Sequence, residues 1–576
     1  MSGRSMYSRR DFLKALGVGI GTGGVILGCA RSVDLTETFV HLKTAAPVDG
    51  TADMIFTNGT VLTVDAANSI TQAVAVKGDR ILYAGSDRDV EALAGDQTKR
   101  INLQGRAITP GLIDPHLHFR VWGLQNSYYT PFMPPDVKDI PSLQAALADY
   151  LKGLQPGEWV MGYYIGLTDK MIPTREDLDP VSRDNPVFIM HIGGHWGTAN
   201  STAMQIAGIT DNTSSPEGGI IEKADGVLTG VFYNHRAMDV VRVYAPAISQ
   251  EQIKTAILDT QKAMAACGIT GFHDNNVRSV EDIRTYQQIS QEGLLYLRND
   301  LYLTLEWPSD LDKVPQVQPM DDAVTRFAGY KFLIDGQGPT SYCHQPHTGV
   351  EYRLPTWDPD QFKEVVRSMH DTGLQICVHC IGDAATNLTL DAYEAAMNAN
   401  PRPDPRHRIE HAILTTAAAT TRMKDLGVAV CTQPAFIYLF GEGWEGLYGA
   451  ERMERILVTR EWLDAGVHLS ISSDAPSTPL YYPQATLAGA ISRYSMSGKV
   501  IGAEQALNFT EALRAHTIEG AYAGHHEDTL GSIEPGKYAD LVVWPGDPSR
   551  MSLTELAQCS TVDMTLVGGK VVYEAS

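Results

Sequence analysis

Between about Ala107 and His526 the chain keeps returning to one kind of text: a short apolar strand, then a stretch that reads as helix. The strands are "AITPGLIDPHLHF", "VFIMHI", "GITGFHD", "YLRNDLYLTL", "GYKFLID", "LQICVHC", "HRIEHAIL", "VAVCTQP" and "HLSISSD". Intervals such as "PDQFKEVVRSMHDTG" and "ATNLTLDAYEAAMNAN" separate several of them. Strand–helix alternation of this sort predicts a parallel α/β architecture. The stretch is longer than the roughly 250 residues typical of a barrel built this way, so it must carry insertions. Val121 to Ile269, with its aromatic and proline-rich loop text, is where the sequence places them.

The two ends read differently. "DMIFTNGTVLTV" sets Asn58-Gly59 between two β-rich runs, the chemistry of a tight hairpin, and "AVAVKGDRILYAG" repeats the idea around Gly78-Asp79. All-β text returns only near the C-terminus, in "ADLVVW" and "DMTLVGGKVVYEA", where Gly568-Gly569 marks another hairpin. Each end alone is too short to enclose much of a core. One β-sandwich assembled from both termini solves that, with residues 53–106 as its first part and 527–576 as its second, and the catalytic domain, 107–526, inserted between them.

Polar residues terminate one apolar strand after another. "PGLIDPHLHF" ends with His116 and His118, which share a face because strand side chains repeat every second residue. Lys331 lies in "YKFLIDG", His379 in "ICVHCIGD", His411 in "RIEHA" and Asp474 in "LSISSDAP". Alone, each has an ordinary explanation: a polar strand mouth, a snorkelling lysine, a core histidine, a helix cap. Together they fit a TIM barrel, whose catalytic groups come from the C-terminal ends of different strands. Neutral imidazole is the commonest metal ligand. "CVHC", Cys377 to Cys380, has the spacing of a metal or redox pair but no second copy, and reads as strand packing. His525-His526 reads as an exposed turn.

With 576 residues and 43% hydrophobic content the chain can bury a large core, and a net charge of −22 with no basic stripe excludes a nucleic-acid partner. "SRRDFLK", Ser8 to Lys14, precedes the apolar run "ALGVGIGTGGVILGCA". That order marks an export signal, and the run is too short and glycine-rich for a membrane span. The paired arginines followed by Asp-Phe-Leu-Lys resemble a twin-arginine signal, so the translocation machinery that reads it is an expected partner and the cell envelope or periplasm the expected location. "ILGC" resembles a lipobox, with Leu27 where a smaller residue is usual. Lipid anchoring at Cys29 and simple cleavage of residues 1–29 both stand. Residues 30–52 read as a polar linker.

The chain resembles the amidohydrolase superfamily, in particular the amidohydrolase-3 branch that contains N-substituted formamide deformylases. The resemblance runs through "TNGTVLTVD", "GDRILYAG", "PGLIDPHLHF", "GGHWGTANSTA", "GITGFHDN", "HCIGDAA", "RIEHA", "SSDAP" and "LGSIEPGKYADLVVW", nearly the whole mature chain. It implies a TIM-type (β/α)8 metal-dependent hydrolase barrel with insertions, plus the discontinuous β-sandwich. His116 and His118 would end the first barrel strand, Lys331 the fourth, and His379, His411 and Asp474 the fifth, sixth and eighth. The loop "DGQGPTSYCHQPHTG" after Lys331 departs from the family text, which bears on substrate rather than metal.

That ligand set implies one or two divalent ions, Zn²⁺ by its imidazole and carboxylate donors. An ammonium cannot ligate a cation, so Lys331 is either N6-carboxylated and bridging two metals or unmodified beside one. The implied reaction is hydrolysis of an amide-type C–N bond in a small molecule, with Asp474 as general base and His411 beside it. His195 and Asn200, in "GGHWGTAN", match a branch motif and are read as substrate contacts, with Trp196, Trp122, Tyr163 and Tyr164 as aromatic lining. A cyclic-amide or dipeptide hydrolase is the rival enzyme, and a non-catalytic exported binding protein the rival of another class.

Overall fold

The computed structural model describes residues 49–134, 136–165, 172–347 and 355–575. Residues 1–48, with the twin-arginine motif and Cys29, lie outside the described residues, as does most of the linker.

Eight strands form one parallel sheet: β1 (Leu112–Leu117), β2 (Ile269–Val277), β3 (Arg298–Leu305), β4 (Thr325–Leu333), β5 (Gln375–Cys380), β6 (Arg408–His411), β7 (Ala429–Thr432) and β8 (Leu469–Ile471). Their order in space is their order in the chain, as right-handed strand–helix–strand units require. Nearly every strand residue is buried, because helices cover the outer face. Local signals stop and start the units. The helix Ala417–Leu426 opens on a Thr416 side-chain cap and closes on Gly427, left-handed at φ 64°; two residues later β7 begins. Gly329 lets β4 approach β5 closely, since a Cβ there would lie 2.0 Å from the Gln375 carbonyl oxygen.

The barrel is nearly closed. No ladder joins β8 to β1 among the described residues, but main-chain bonds just beyond the strands bridge the seam: Asp474 N–H donates to the His116 carbonyl at 3.0 Å and His118 N–H to the Ala475 carbonyl at 2.7 Å. Elsewhere register carries the strand ends to one level, with Leu333 opposite His379 and Cys380 opposite His411. Within the Val121–Ile269 interval a six-stranded sheet spans Thr130 to Tyr233 with hydrophobic clusters of its own, while the helix Gln250–Ala266 packs into the barrel core.

The chain ends meet in a β-sandwich. Strand Leu541–Val543 pairs antiparallel with Ala107–Pro110, which pairs parallel with Thr60–Leu62, so one six-stranded sheet holds both ends. A four-stranded sheet of Ala52–Thr57, Ala73–Lys77, Arg80–Gly85 and Ala94–Asn102 faces it. Phe56, Val74 and Ile81 from the latter share one core with Val61, Ile108, Leu541 and Leu566 from the former. Hairpins form at Gly78-Asp79 and Gly568-Gly569. Asn58-Gly59 is a correction: it is not a hairpin but a corner, because the strand before it and the strand after it belong to different sheets. Asn58 takes φ 58° to make that turn.

Since Leu541 is fully buried between residues of both ends, Leu541→Ala should cost about 2–5 kcal/mol. Equilibrium denaturation of the intact chain measures it, and a loss well under 1 kcal/mol would mean that the two ends do not share a core.

Candidate active site

The six polar strand-end residues come together. His116 is fully buried; its Nδ1 faces the Glu410 carboxylate in a very short contact, and its Nε2 lies 3.3 Å from Asp474 Oδ1. His118, in the residue before helix Phe119–Tyr128, brings its Nε2 to 3.0 Å from the same oxygen. Lys331 Nζ is 3.5 Å from His116 Nε2 and nearly inaccessible to solvent. The His411 ring stands 4.7 Å from that of His116 and 4.4 Å from that of His379. Ligand atoms of His116, His411 and Asp474 all lie within 4.8 Å of one another.

Backbone strain helps to bring them there. Adjacent strand residues face opposite ways, yet Glu410 and His411 both reach His116. His411 manages this in the left-handed region, at φ 70°, and Asp474 sits there too, at φ 55°. Such conformations cost a residue with a side chain about 1–3 kcal/mol each and cluster at functional sites.

The electrostatics favour neutral bases and one anion. Burial holds the imidazoles of His118, His379 and His411 below their ordinary value, the last two well below it. Burial also lowers the Lys331 ammonium, against the pull of Glu410 and Asp474. For Asp474, burial works to raise the pKa, but the imidazoles of His118 and His116 outweigh it and hold the carboxyl well below the usual range. His118 Nδ1 and His379 Nε2 are buried without hydrogen-bond partners. Buried polar atoms are rarely left so. With four imidazoles and a carboxylate around one point, the donor set fits a divalent cation such as zinc.

The supports for this set escaped the sequence reading. Glu410 receives Arg408 Nε at 2.7 Å and Nη2 at 3.0 Å, and Gln433 Oε1 meets His411 Nδ1 at 2.7 Å. Holding one ring nitrogen leaves the other free to face a metal. Arg408 and Glu410 could have been suspected from their period-two spacing within a strand that ends in His411. In the divergent loop after Lys331, Asp335 accepts from Gly382 N–H at 2.8 Å and lies 3.6 Å from His379 Nε2; burial pushes its carboxyl up to about 7.

A cavity of about 290 Å³ opens over the cluster, lined by His118, Lys331, His379, His411 and Asp474 and also by His195, Arg278 and Glu306. The His195 ring is 4.9 Å from that of His379, and burial lowers its pKa to about 4. Trp122 and Tyr163 line a neighbouring cavity. Trp196 and Asn200 are not brought to either. Trp196 is stacked on His191 and donates from Nε1 to the Tyr164 hydroxyl at 3.0 Å, so these two aromatics pack against each other inside the insertion. Asn200 caps the helix Ser201–Ile206 and bridges to Ser182 and Asn185. His526 is not a free turn residue either: its Nε2 lies 3.0 Å from Asp300 Oδ1.

The sequence profile of the amidohydrolase family, Amidohydro_3, matches residues 99–573, and the chain belongs to that family. It is 28% identical over 539 residues to the N-substituted formamide deformylase of Arthrobacter pascens, covering 91% of this chain and 98% of that protein. It is 29% identical over 560 residues to the protein LONG AFTER FAR-RED 3 of Arabidopsis thaliana, covering 92% and 94%. Among solved structures, a metal-dependent hydrolase from Pyrococcus horikoshii superposes with a TM-score of 0.68 at 23% identity, over 87% of this chain and 99% of that one; this likeness speaks for the fold. Membership makes the chain a hydrolase of the metal-dependent amidohydrolase superfamily.

Removing the carboxylate behind His116 tests the cluster as a metal centre. Glu410→Gln should lower metal affinity about 10–100-fold, the range for losing such a support. Metal content after dialysis against a graded chelator reports it, and wild-type retention would mean that Glu410 does not orient a ligand.

Proposed function

We propose that the protein hydrolyses an amide-type C–N bond in a small molecule, an N-substituted formamide or another acyl amide. The observation that carries this reading is Asp474: a buried carboxylate held ionised, 3.0 Å from His118 Nε2, facing the same cavity as His195. The near full-length similarity to an N-substituted formamide deformylase supports it. His116, His118, Lys331, His379, His411 and Asp474 would hold one or two zinc ions, which when bound supply a Lewis acid for the carbonyl and acidify the attacking water.

Asp474 takes the proton from the attacking water and passes it to the leaving nitrogen. His195, neutral because burial disfavours its cation, donates an N–H to the carbonyl oxygen as negative charge develops there. Glu410 and Gln433 keep the His116 and His411 rings from turning. The same reading has the enzyme working outside the cytoplasm, delivered by the twin-arginine machinery that "SRRDFLK" would address, with Cys29 as lipid anchor or cleavage point.

Asp474→Asn keeps the shape and one oxygen but cannot accept a proton. It should retain much of the metal and lose at least about 10²-fold in kcat, the lower end for a general base. Turnover near wild type with metal intact would overturn the assignment.

In this proposal Lys331 is N6-carboxylated. Burial lowers its pKa and so favours loss of the ammonium proton; the free amine then adds to carbon dioxide, an N–C bond forming as one C=O π bond opens and a second proton leaving, so that over the two steps its charge changes from +1 to −1. Lys331→Ala should then lose metal and activity, and bicarbonate or a short carboxylic acid should restore part of both. A free ammonium at Lys331 in a structure of the metal-loaded protein would end this reading.

A further inference from the structure

A second cavity, of about 400 Å³, adjoins the one over the metal-ligand cluster. The two share Gln125, Ile192 and Pro476 as walls. Pro476 follows Asp474 by two residues, so the second cavity opens beside the general base. Its character is different: Trp122, Tyr163, Tyr438, Leu480, Tyr481 and Met496 supply much of the lining. Trp122 packs on Tyr481 with ring centroids 4.6 Å apart, while Tyr438 and Met496 are 41% and 49% exposed. An apolar chamber with a partly exposed rim, beside a charged site, suits a ligand that is polar at one end and hydrophobic at the other.

Gln125 stands on the shared wall. It lies seven residues beyond His118, on helix Phe119–Tyr128, three residues after Trp122 and so on the same helix face. Its residue is only 2% exposed, yet its Oε1 is buried with no hydrogen-bond partner. A buried acceptor left unmet is destabilising. Here it lines both the chamber where an amide carbonyl would react and the chamber that suits an apolar group. A secondary amide carries an N–H donor at that point, between its carbonyl and its nitrogen substituent.

We propose that Gln125 is a substrate-positioning residue that accepts the N–H of a secondary amide, and that the adjoining aromatic chamber holds a bulky hydrophobic, aryl-bearing substituent on that nitrogen. This rests on the amide-hydrolase reading and narrows it: the preferred substrate has a small acyl group, a free N–H and a large apolar leaving amine. Gln125 selects by the hydrogen bond, rejecting tertiary amides because they leave its acceptor unmet. The chamber selects by the area of apolar surface that it buries.

The test measures binding, so that it stands apart from turnover. The probes are N-(2-phenylethyl)acetamide, its N-methylated form and N-methylacetamide, titrated by calorimetry into the metal-loaded full chain carrying Asp474→Asn. The phenylethyl amide should bind at least about tenfold more tightly than N-methylacetamide, and N-methylation should weaken it about tenfold, the scale of one neutral hydrogen bond. Adding Gln125→Leu should weaken the secondary amide by a similar factor and leave the N-methylated probe unchanged. Because N-methylation removes the same bond without altering the protein, a poorly folding variant does not spoil the test. Equal binding of the phenylethyl and methyl amides would overturn the chamber's role. Tolerance of N-methylation, or an equal loss for both phenylethyl probes on Gln125→Leu, would overturn that of Gln125. Failure of the loaded wild type to hydrolyse any of the probes would count against the amide-hydrolase reading and leave the binding result to stand separately.

Discussion

The barrel is organised around a buried ion pair on β6 whose further bonds cross its interior. Arg408 on β6 directs its donors to the Glu410 carboxylate, the Pro115 carbonyl on β1 and His273 Nδ1 on β2, at 2.7 to 3.0 Å. Glu410 in turn faces His116 Nδ1. Burial alone would push Glu410 toward its neutral acid, but Arg408 and His116 hold it well below the usual carboxylate range. A pair buried this deeply loses much hydration and returns it only when every donor and acceptor is met. Here the interaction fixes geometry more than it adds stability. It ties β6 to β1 and β2 across the barrel and sets which nitrogen of His116 points at Lys331 and Asp474.

The same economy recurs at the seam. Where β8 meets β1 no strand ladder forms among the described residues. Asp474 N–H and the His116 carbonyl take its place, so the main chain that closes the barrel is the main chain that carries two candidate ligands. The Ser473 N–H adds to this by donating to Asp114 at 3.2 Å. Strained backbone persists at His411 and Asp474 because the surrounding main chain determines it: His411 is paired with Cys380 on β5, and Asp474 N–H is bonded to the His116 carbonyl. A rigid frame of this kind suits chemistry in which a base must stay within reach of water and of a leaving nitrogen through both proton transfers.

Much of this was legible before any coordinates. Each apolar run that ends in a histidine, lysine or aspartate announces a strand whose last residue is not core, and six such ends converge as the barrel topology requires. The pairing of distant β text at the two termini was legible too, because neither end holds a core alone. Asn58-Gly59 shows the limit: its turn chemistry was right, but which sheets the flanking strands join depends on partners far along the chain. Asn200 shows another. It sits in a motif shared with the family, yet its amide is used up in capping a short helix and bridging Ser182 and Asn185.

By itself, the sequence determined the alternation of strand and helix, the positions where polar residues end strands, and the family text that runs from "PGLIDPHLHF" to "SSDAP". These are local properties, set by side-chain periodicity and turn chemistry over a few residues. Tertiary structure decided that Glu410 supports His116 across 294 positions of chain, that Gln433 supports His411, and that Gln125, lining two cavities, keeps its Oε1 without a partner. A buried polar atom is satisfied or left bare by whatever the closed barrel brings within about 3 Å of it, and no short stretch of sequence contains that neighbour.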